Sequence, residues 1–302
     1  MKYYLPILVL LAVPAVAHCA WFTNSASADS FVRAAAPDLN YGGAGALAVS
    51  GADAVNGSGV ANGAFDSFIR FNTAAMVTHF DSLFGTGHWA VNGANLRVTE
   101  VAAPNNALFN RGVGTFEIRW IANDNWVEGT GNPNAPATTG IVYNDKAALL
   151  DSGADASLGV FTNAGLDGAI TFPLALPEAF VNDAQAGGEV GLYLTAIDPG
   201  IGFTFDSRSF GTVAARPFLI VSAIPVPVIS AINVSGANVT LSVRNASADE
   251  TYSVLSSADV ALPLSQWLPV AADVLSVGGD FEITLTNAVN GLSRQFFIIQ
   301  TQ

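Results

Sequence analysis

Residues 115–121, Thr-Phe-Glu-Ile-Arg-Trp-Ile, constrain the fold more than any other stretch of this chain. As an extended strand they put Phe116, Ile118 and Trp120 on one face and Thr115, Glu117 and Arg119 on the other. Such alternation marks one buried and one wet face, hence an antiparallel sheet. A polar turn follows, and then Trp126-Val127-Glu128-Gly129. The same rhythm recurs in short segments bounded by Gly, Asn, Asp or Pro: 30–33, 47–50, 67–72, 94–100, 169–173, 191–196, 203–207 and 217–222. Helical signals are confined to 144–150 and 177–184, the second stopped by Gly187-Gly188, and 51–64 reads as a Gly/Asn-rich loop.

The chain opens Met1-Lys2, runs apolar from Tyr3 to Val16 and reaches Ala15-Val16-Ala17 and Ala20, the pattern of a cleaved secretory signal over residues 1–20. No other segment is apolar enough to span a bilayer. Loss of Lys2, with no acid lost, takes the formal charge from −13 to −14. Lys146 is then the only lysine, and with no basic stripe nucleic acid is an unsuitable partner. Cleavage after Cys19 leaves no cysteine, so stability rests on buried area alone. The expected location is outside the cell or at its surface.

At Ala223-Ile224-Pro225-Val226-Pro227 the pattern changes to that of a stiff extended linker, assigned to 224–227. Beyond it, segments 228–234, 239–244, 252–256, 266–271, 281–286 and 295–300 alternate between turn signals, with Tyr252 and Trp267 as core anchors. The expected architecture is all-β: a jelly-roll-like antiparallel β-sandwich over 21–223, then a smaller immunoglobulin-like or fibronectin-like sandwich over 228–302.

Several ordered pieces carry a family resemblance: Ala28-Asp29-Ser30-Phe31-Val32-Arg33, Asp38-Leu39-Asn40-Tyr41-Gly42, Ser67-Phe68-Ile69-Arg70-Phe71, Ala94-Asn95-Leu96-Arg97-Val98, Asn125-Trp126-Val127-Glu128-Gly129, Phe205-Asp206-Ser207-Arg208 and Arg216-Pro217-Phe218-Leu219-Ile220-Val221. In that order they resemble the DNRLRE family of secreted microbial β-sandwich modules. The resemblance implies a carbohydrate-binding-module-like role, with alginate among the family's ligands. Ser209 departs from the pattern, where members often carry Glu, and this removes an expected partner for Arg208. The tail resembles C-terminal sandwich modules of secreted bacterial proteins.

The chemistry-bearing residues point to binding rather than catalysis. His79 and His88 fit no common zinc spacing, and neither a nucleophile elbow nor a phosphate-binding loop is present. Glu117 and Glu128 form a nominal acid pair, but Glu128 suits the tying of backbone amides. For a glycan, Trp89 and Trp126 offer aromatic faces. Arg70, Arg97 and Arg119, on three successive strands, would form a row able to grip uronate carboxylates if their faces align; an internal ladder with Glu100, Glu117 and Asp124 is the alternative. Asp29, Asp38, Asn40 and Asp66 are candidate oxygen ligands for a structural Ca2+, with local turn hydrogen bonding as the other reading. The expected function is a secreted, non-catalytic protein binding polysaccharide or a surface or matrix glycan. A purely structural matrix protein is the alternative, and a polysaccharide hydrolase or lyase the third.

Overall fold

The computed structural model describes residues 19–56, 58–101, 112–289 and 294–301. Most of the expected signal segment lies outside them. The chain divides into two compact units, one of 21–82 with 91–223, the other of 224–302 with 83–90. Both are built from antiparallel strands, so the chain is all-β.

In the larger unit β1 (Ala20–Arg33), β2 (Ala46–Ser50), β3 (Phe65–Asn72), β4 (Trp89–Glu100), β5 (Gly114–Ile121), β6 (Ala156–Asn163), β7 (Gly168–Leu174), β8 (Glu189–Ala196), β9 (Gly202–Asp206) and β10 (Phe218–Pro225) form one hydrogen-bonded network. Its order is β1-β10-β4-β9-β2-β3, and β3 pairs back with β1 to close a ring. β8, β5 and β6 extend outward from β3, and β7 flanks β4. The all-β expectation holds, but the strands do not separate into the two sheets of a jelly roll. The physical reason is β1, which is long enough, with a bulge between Ala26 and Ala28, to serve both β10 and β3. Phe116 on β5 meets Phe172 on β7 edge-on at 5.3 Å and Phe203 on β9 at 5.0 Å, tying the outer strands to the ring.

The expected wet face of β3 is not wet. Phe68, Ala28, Val32, Ile121 and Tyr193 form an apolar cluster with Trp126, Ile141 and Leu149, all from the segment after β5 or the strands beneath it. That segment carries a 3-10 turn, Tyr143–Asp145, and the short helix α1 (Lys146–Leu149), near the expected 144–150. It lies across the outer side of the sheet, which is why Phe65–Ile69 are buried without alternation.

A second helix, α2 (Glu178–Ala186), buries Phe180 and Ala184 and ends at Gly187 in the left-handed region, φ 78°, as its Gly-Gly stop implies. Trp120 reaches it, its indole N–H donating to Asp183 Oδ2 at 2.7 Å. A third helix, α3 (Ala74–Phe84), was not expected; Asn72 accepts from the Ala74 amide, and Met76 and Phe80 are fully buried.

Among the described residues the smaller unit holds four strands where six segments alternate. β11 (Val228–Ser235) pairs with β12 (Asn238–Ser257), which also pairs with β13 (Leu268–Leu285) and β14 (Phe296–Thr301). β12 and β13 each absorb two expected strands. Register shifts near Val243/Ala246, Ala248/Thr251 and Tyr252/Val254 bend the pair, and Asn245 takes a positive φ of 59°. The halves of β12 thereby enter one core: Leu241 and Val243 meet Tyr252 and Val254, with Ile283, Leu285 and Ile299. β10 runs through Ile224 and Pro225, so only Val226 and Pro227 of the expected linker lie between strands.

Candidate functional site

The densest polar construction in the larger unit joins three sequence-distant pieces. Asn40 is fully buried, and each side-chain atom is used: Nδ2 donates to the Glu128 carbonyl at 2.7 Å and the Ile141 carbonyl at 2.9 Å, while Oδ1 accepts from the Gly42 and Gly131 amides, both at 3.1 Å. The backbones come so close that a Cβ on Gly42 would lie 2.0 Å from the Glu128 carbonyl oxygen. Glycine at 42 is therefore a steric requirement of the Asn-Tyr-Gly turn.

The Glu128 side chain extends this knot. Its Oε1 accepts from the Asp29 amide at 3.2 Å and Arg208 Nε at 2.6 Å, and its Oε2 accepts from Arg208 Nη2. The Arg208 amide in turn donates to Asp29 Oδ2 at 2.6 Å. Arg208 is thus not left partnerless by Ser209: the Trp-x-Glu turn supplies its carboxylate. Burial pushes the Asp29 carboxyl up to about 7, the Glu128 charge adding to it and the Arg208 amide and guanidinium opposing. Asp29 Oδ1 has no hydrogen-bond partner.

Each of the four candidate calcium ligands has other partners in the structure. Asn40 is spent on four backbone groups, and Asp29 sits where Arg208 already supplies the cation. Asp66 pairs with Lys146, and Asp38 Oδ1 accepts from Asn144 Nδ2 at 2.7 Å. Burial works against the Lys146 charge, but Asp66 and Tyr193 outweigh it and hold its pKa above the ordinary lysine value. Among the described residues no three His, Cys, Asp or Glu side chains gather as metal ligands. Turn and staple hydrogen bonds engage all four of these residues.

Nor do the arginines form a row. Arg70 on β3 and Arg119 on β5 share a sheet face across β8, opposite Gly191 and Tyr193, but Arg97 on β4 lies in another part of the ring. Arg70 Nη1 donates to the Asp124 and Trp126 carbonyls at 2.8 and 3.0 Å, its Nε lies 3.3 Å from Glu189, and its guanidinium stacks on the Trp126 ring at 5.0 Å. Arg119 lies 3.5 Å from Glu117 on its own strand. The internal ladder is thus realised for Glu117, and in part for Arg70, which meets Asp124 through that residue's carbonyl and takes Glu189 and Trp126 as further partners. Glu117 and Glu128 each face their own arginine, Arg119 and Arg208.

Trp89 and Trp126 are buried, 6% and 5% exposed, and present no face for a sugar. Trp126 lies under the segment it belongs to, against Phe68 at 6.0 Å. His79 lies between Phe22 and Phe80, ring centroids 5.3 and 5.5 Å away.

What remains open is the face around Arg97. On β4, Asn95, Arg97 and Thr99 stand opposite Pro173, Thr171 and Ala169 of β7, which are exposed. Arg97 is half-buried and lies over the Phe218 ring of β10 at 5.8 Å. These neighbouring strands bring together a guanidinium, an aromatic ring, an amide and two threonine hydroxyls. Sequence reasoning identified Arg97 but not Phe218. Both lie on alternating strands, but that β4 and β10 are neighbours is visible only in the strand order.

No family model matches this chain, and no curated protein does. Among solved structures, a beta-glucuronidase from Ruminococcus gnavus aligns at 8% identity over 79% of this chain and 33% of its own, with a TM-score of 0.19. The same enzyme in complex with uronic isofagomine aligns at 8% identity over 93% of this chain and 42% of its own, TM-score 0.24. A calcium-binding mutant of Bacteroides uniformis beta-glucuronidase 2 aligns at 10% identity over 94% and 28%, TM-score 0.25. The chain spans less than half the length of these proteins, and likenesses this slight carry no argument about fold or function.

Proposed function

We propose that the protein is a secreted, non-catalytic glycan-binding protein whose larger unit holds an acidic polysaccharide on the open face of β10, β4 and β7. The observation that carries this reading is the setting of Arg97: unlike Arg70, Arg119 and Arg208, among the described residues it rests on an aromatic ring beside exposed polar residues rather than on a carboxylate. A free guanidinium fork suits a uronate carboxylate, and Phe218, Asn95 and Thr171 suit the ring and hydroxyls of the sugar.

The test is retention in gels containing alginate, pectin or a neutral glucan. Arg97→Ala and Phe218→Ala should each abolish retention by the acidic polymers while moving the melting temperature by less than about 3 °C, because half-exposed residues contribute little to stability. Equal retention by the neutral glucan, or undiminished retention in both variants, would refute the assignment. Arg70→Ala should unfold the unit instead of selectively weakening binding.

A second reading, a structural matrix or surface protein without sugar specificity, is favoured by one observation. Arg70, Arg119, Trp126, Asp29, Asn40 and Asp66, all residue types suited to ligands, are consumed in holding the larger unit together. Absence of retention by every glycan would select it.

A further inference from the structure

β11 in the smaller unit is an edge strand unlike the others. It pairs with β12 on one side only, and among the described residues no strand hydrogen-bonds its other edge. Every residue from Ser230 to Ser235 is exposed. Ile232 and Val234 stand opposite Leu241 and Val239, so they lie on the side of the sheet that carries the core. Yet Ile232 is 53% and Val234 58% exposed, whereas Leu241 and Val239 are buried. The apolar face of this sheet runs past its last covered strand.

Natural edges are guarded against pairing by bulges, prolines or charged side chains. β6 has an irregularity where Leu158 is skipped in its pairing with β5, and β7 carries Pro173. In β11 the only register shift precedes Ala231, so Ala231–Ser235 is a regular edge with neither charge nor proline. The uncharged tract is longer still: residues 217–243 contain no Asp, Glu, Lys or Arg in a chain of net charge −13. Two copies of such a chain repel over most of their surface and least along this tract.

We propose that β11 is a self-association edge, pairing antiparallel with β11 of a second copy about a twofold axis through Asn233. That register places Ile232 opposite the second copy's Val234 and Val234 opposite its Ile232. Two β-branched cross-strand pairs then form on the core side of a continuous sheet, and Ala231 faces the second copy's Ser235 on the other side. Each copy covers the apolar step that the other leaves open, and no charge opposes another. A strand of five regular residues is well short of the roughly 20–30 residues a side in a standard interface, so the dimer is weak and dissociates on dilution.

Sedimentation of the whole chain over about a hundredfold dilution series tests this. The expected result is a monomer–dimer equilibrium for the wild type and a dissociation constant at least about tenfold higher for Ile232→Lys and for Val234→Lys, which set each lysine opposite an apolar residue and bring the two lysines together diagonally across the axis. Both positions are exposed, and circular dichroism melts confirm that the variants remain folded. In a Cys19→Ser background, Asn233→Cys should give a disulfide-linked dimer under mild oxidation. A chain that stays monomeric at the highest concentration, including one whose β11 takes up only a foreign strand, overturns the proposal. So does a dimer that survives both lysine variants, or an Asn233→Cys chain that does not cross-link at concentrations where the wild type dimerises.

Discussion

Asn40→Ala isolates the staple of the larger unit. The substitution removes a donor pair from the Glu128 and Ile141 carbonyls and an acceptor from the Gly42 and Gly131 amides. At about 1 kcal/mol for each hydrogen bond, with these backbone groups left buried, the loss is about 4 kcal/mol. For a unit of this size each kcal/mol moves the melting temperature by about 2–4 °C, so the shift is about 8–16 °C. Equilibrium urea unfolding, monitored by tryptophan fluorescence, measures it: the midpoint should fall at unchanged slope. Asn40→Asp sharpens the test. It keeps an oxygen facing the Gly42 and Gly131 amides but turns a second oxygen toward two carbonyls, so it should be at least as damaging as alanine at pH 7. A loss below about 1 kcal/mol for both variants would show that the four bonds are not what holds residues 40, 128 and 141 together.

Other consequences can be measured directly. The folded state keeps a proton on Asp29 that the unfolded chain releases, between the ordinary 3.8 and about 7. The contribution of this group to stability is therefore greatest at low pH, declines as pH rises through that window and levels off above it. Relative to wild type, Asp29→Asn should gain by up to about 4 kcal/mol between pH 4 and pH 8, read from urea midpoints at each pH; a difference independent of pH would refute the buried-carboxyl reading. Gly42→Ala should cost about 3 kcal/mol or more in the same unfolding assay, because the added Cβ meets backbone rather than a movable side chain; a midpoint equal to wild type would refute the close approach. Trp120→Phe should lose about 1–2 kcal/mol through the Asp183 contact, and Asp183→Asn in the Trp120→Phe background should then cost less than it does alone, as a double-mutant cycle would reveal.

The all-β class was legible wherever one side of a strand is buried and the other wet. Phe116, Ile118 and Trp120 are inside as their alternation implies, and 94–100 follows the same rule. It was illegible where a second layer covers the sheet: Phe65–Ile69 is buried on both sides because Trp126, Ile141 and Leu149 return over it, a contact between residues far apart in the chain. β6 escaped notice because Gly159 and the irregularity at Leu158 break its alternation. α3 had a readable signal, Met76, Phe80 and Phe84 at four-residue spacing, obscured by strand-like neighbours on either side. The six short segments of the smaller unit fall mostly on extended chain, although 266–271 begins in the 3-10 turn Leu264–Gln266; a bulge and a turn look alike in sequence, and β12 and β13 bend where turns were expected.

For the candidate site, residue types were a better guide to importance than to role. Asn40, Asp29, Glu128 and Arg208 were all singled out, and all converge, but as an internal lock rather than a ligand cage. The partner of Arg208 could not be inferred from its immediate neighbours, because Glu128 lies eighty residues away in the chain. Arg97 differs from Arg70 and Arg119 only in which strands flank it, information carried by topology alone.

The ring also determines when the larger unit can be completed. Its first strand, β1, borders β10, close to the end of that unit, and Arg208 must reach back 179 positions to Asp29. Local contacts cannot finish such a structure, so synthesis must deliver nearly the whole unit before the first strand finds its permanent neighbours. Until then β1 lacks its β10 neighbour, and the ring closes only once that last strand of the unit is available.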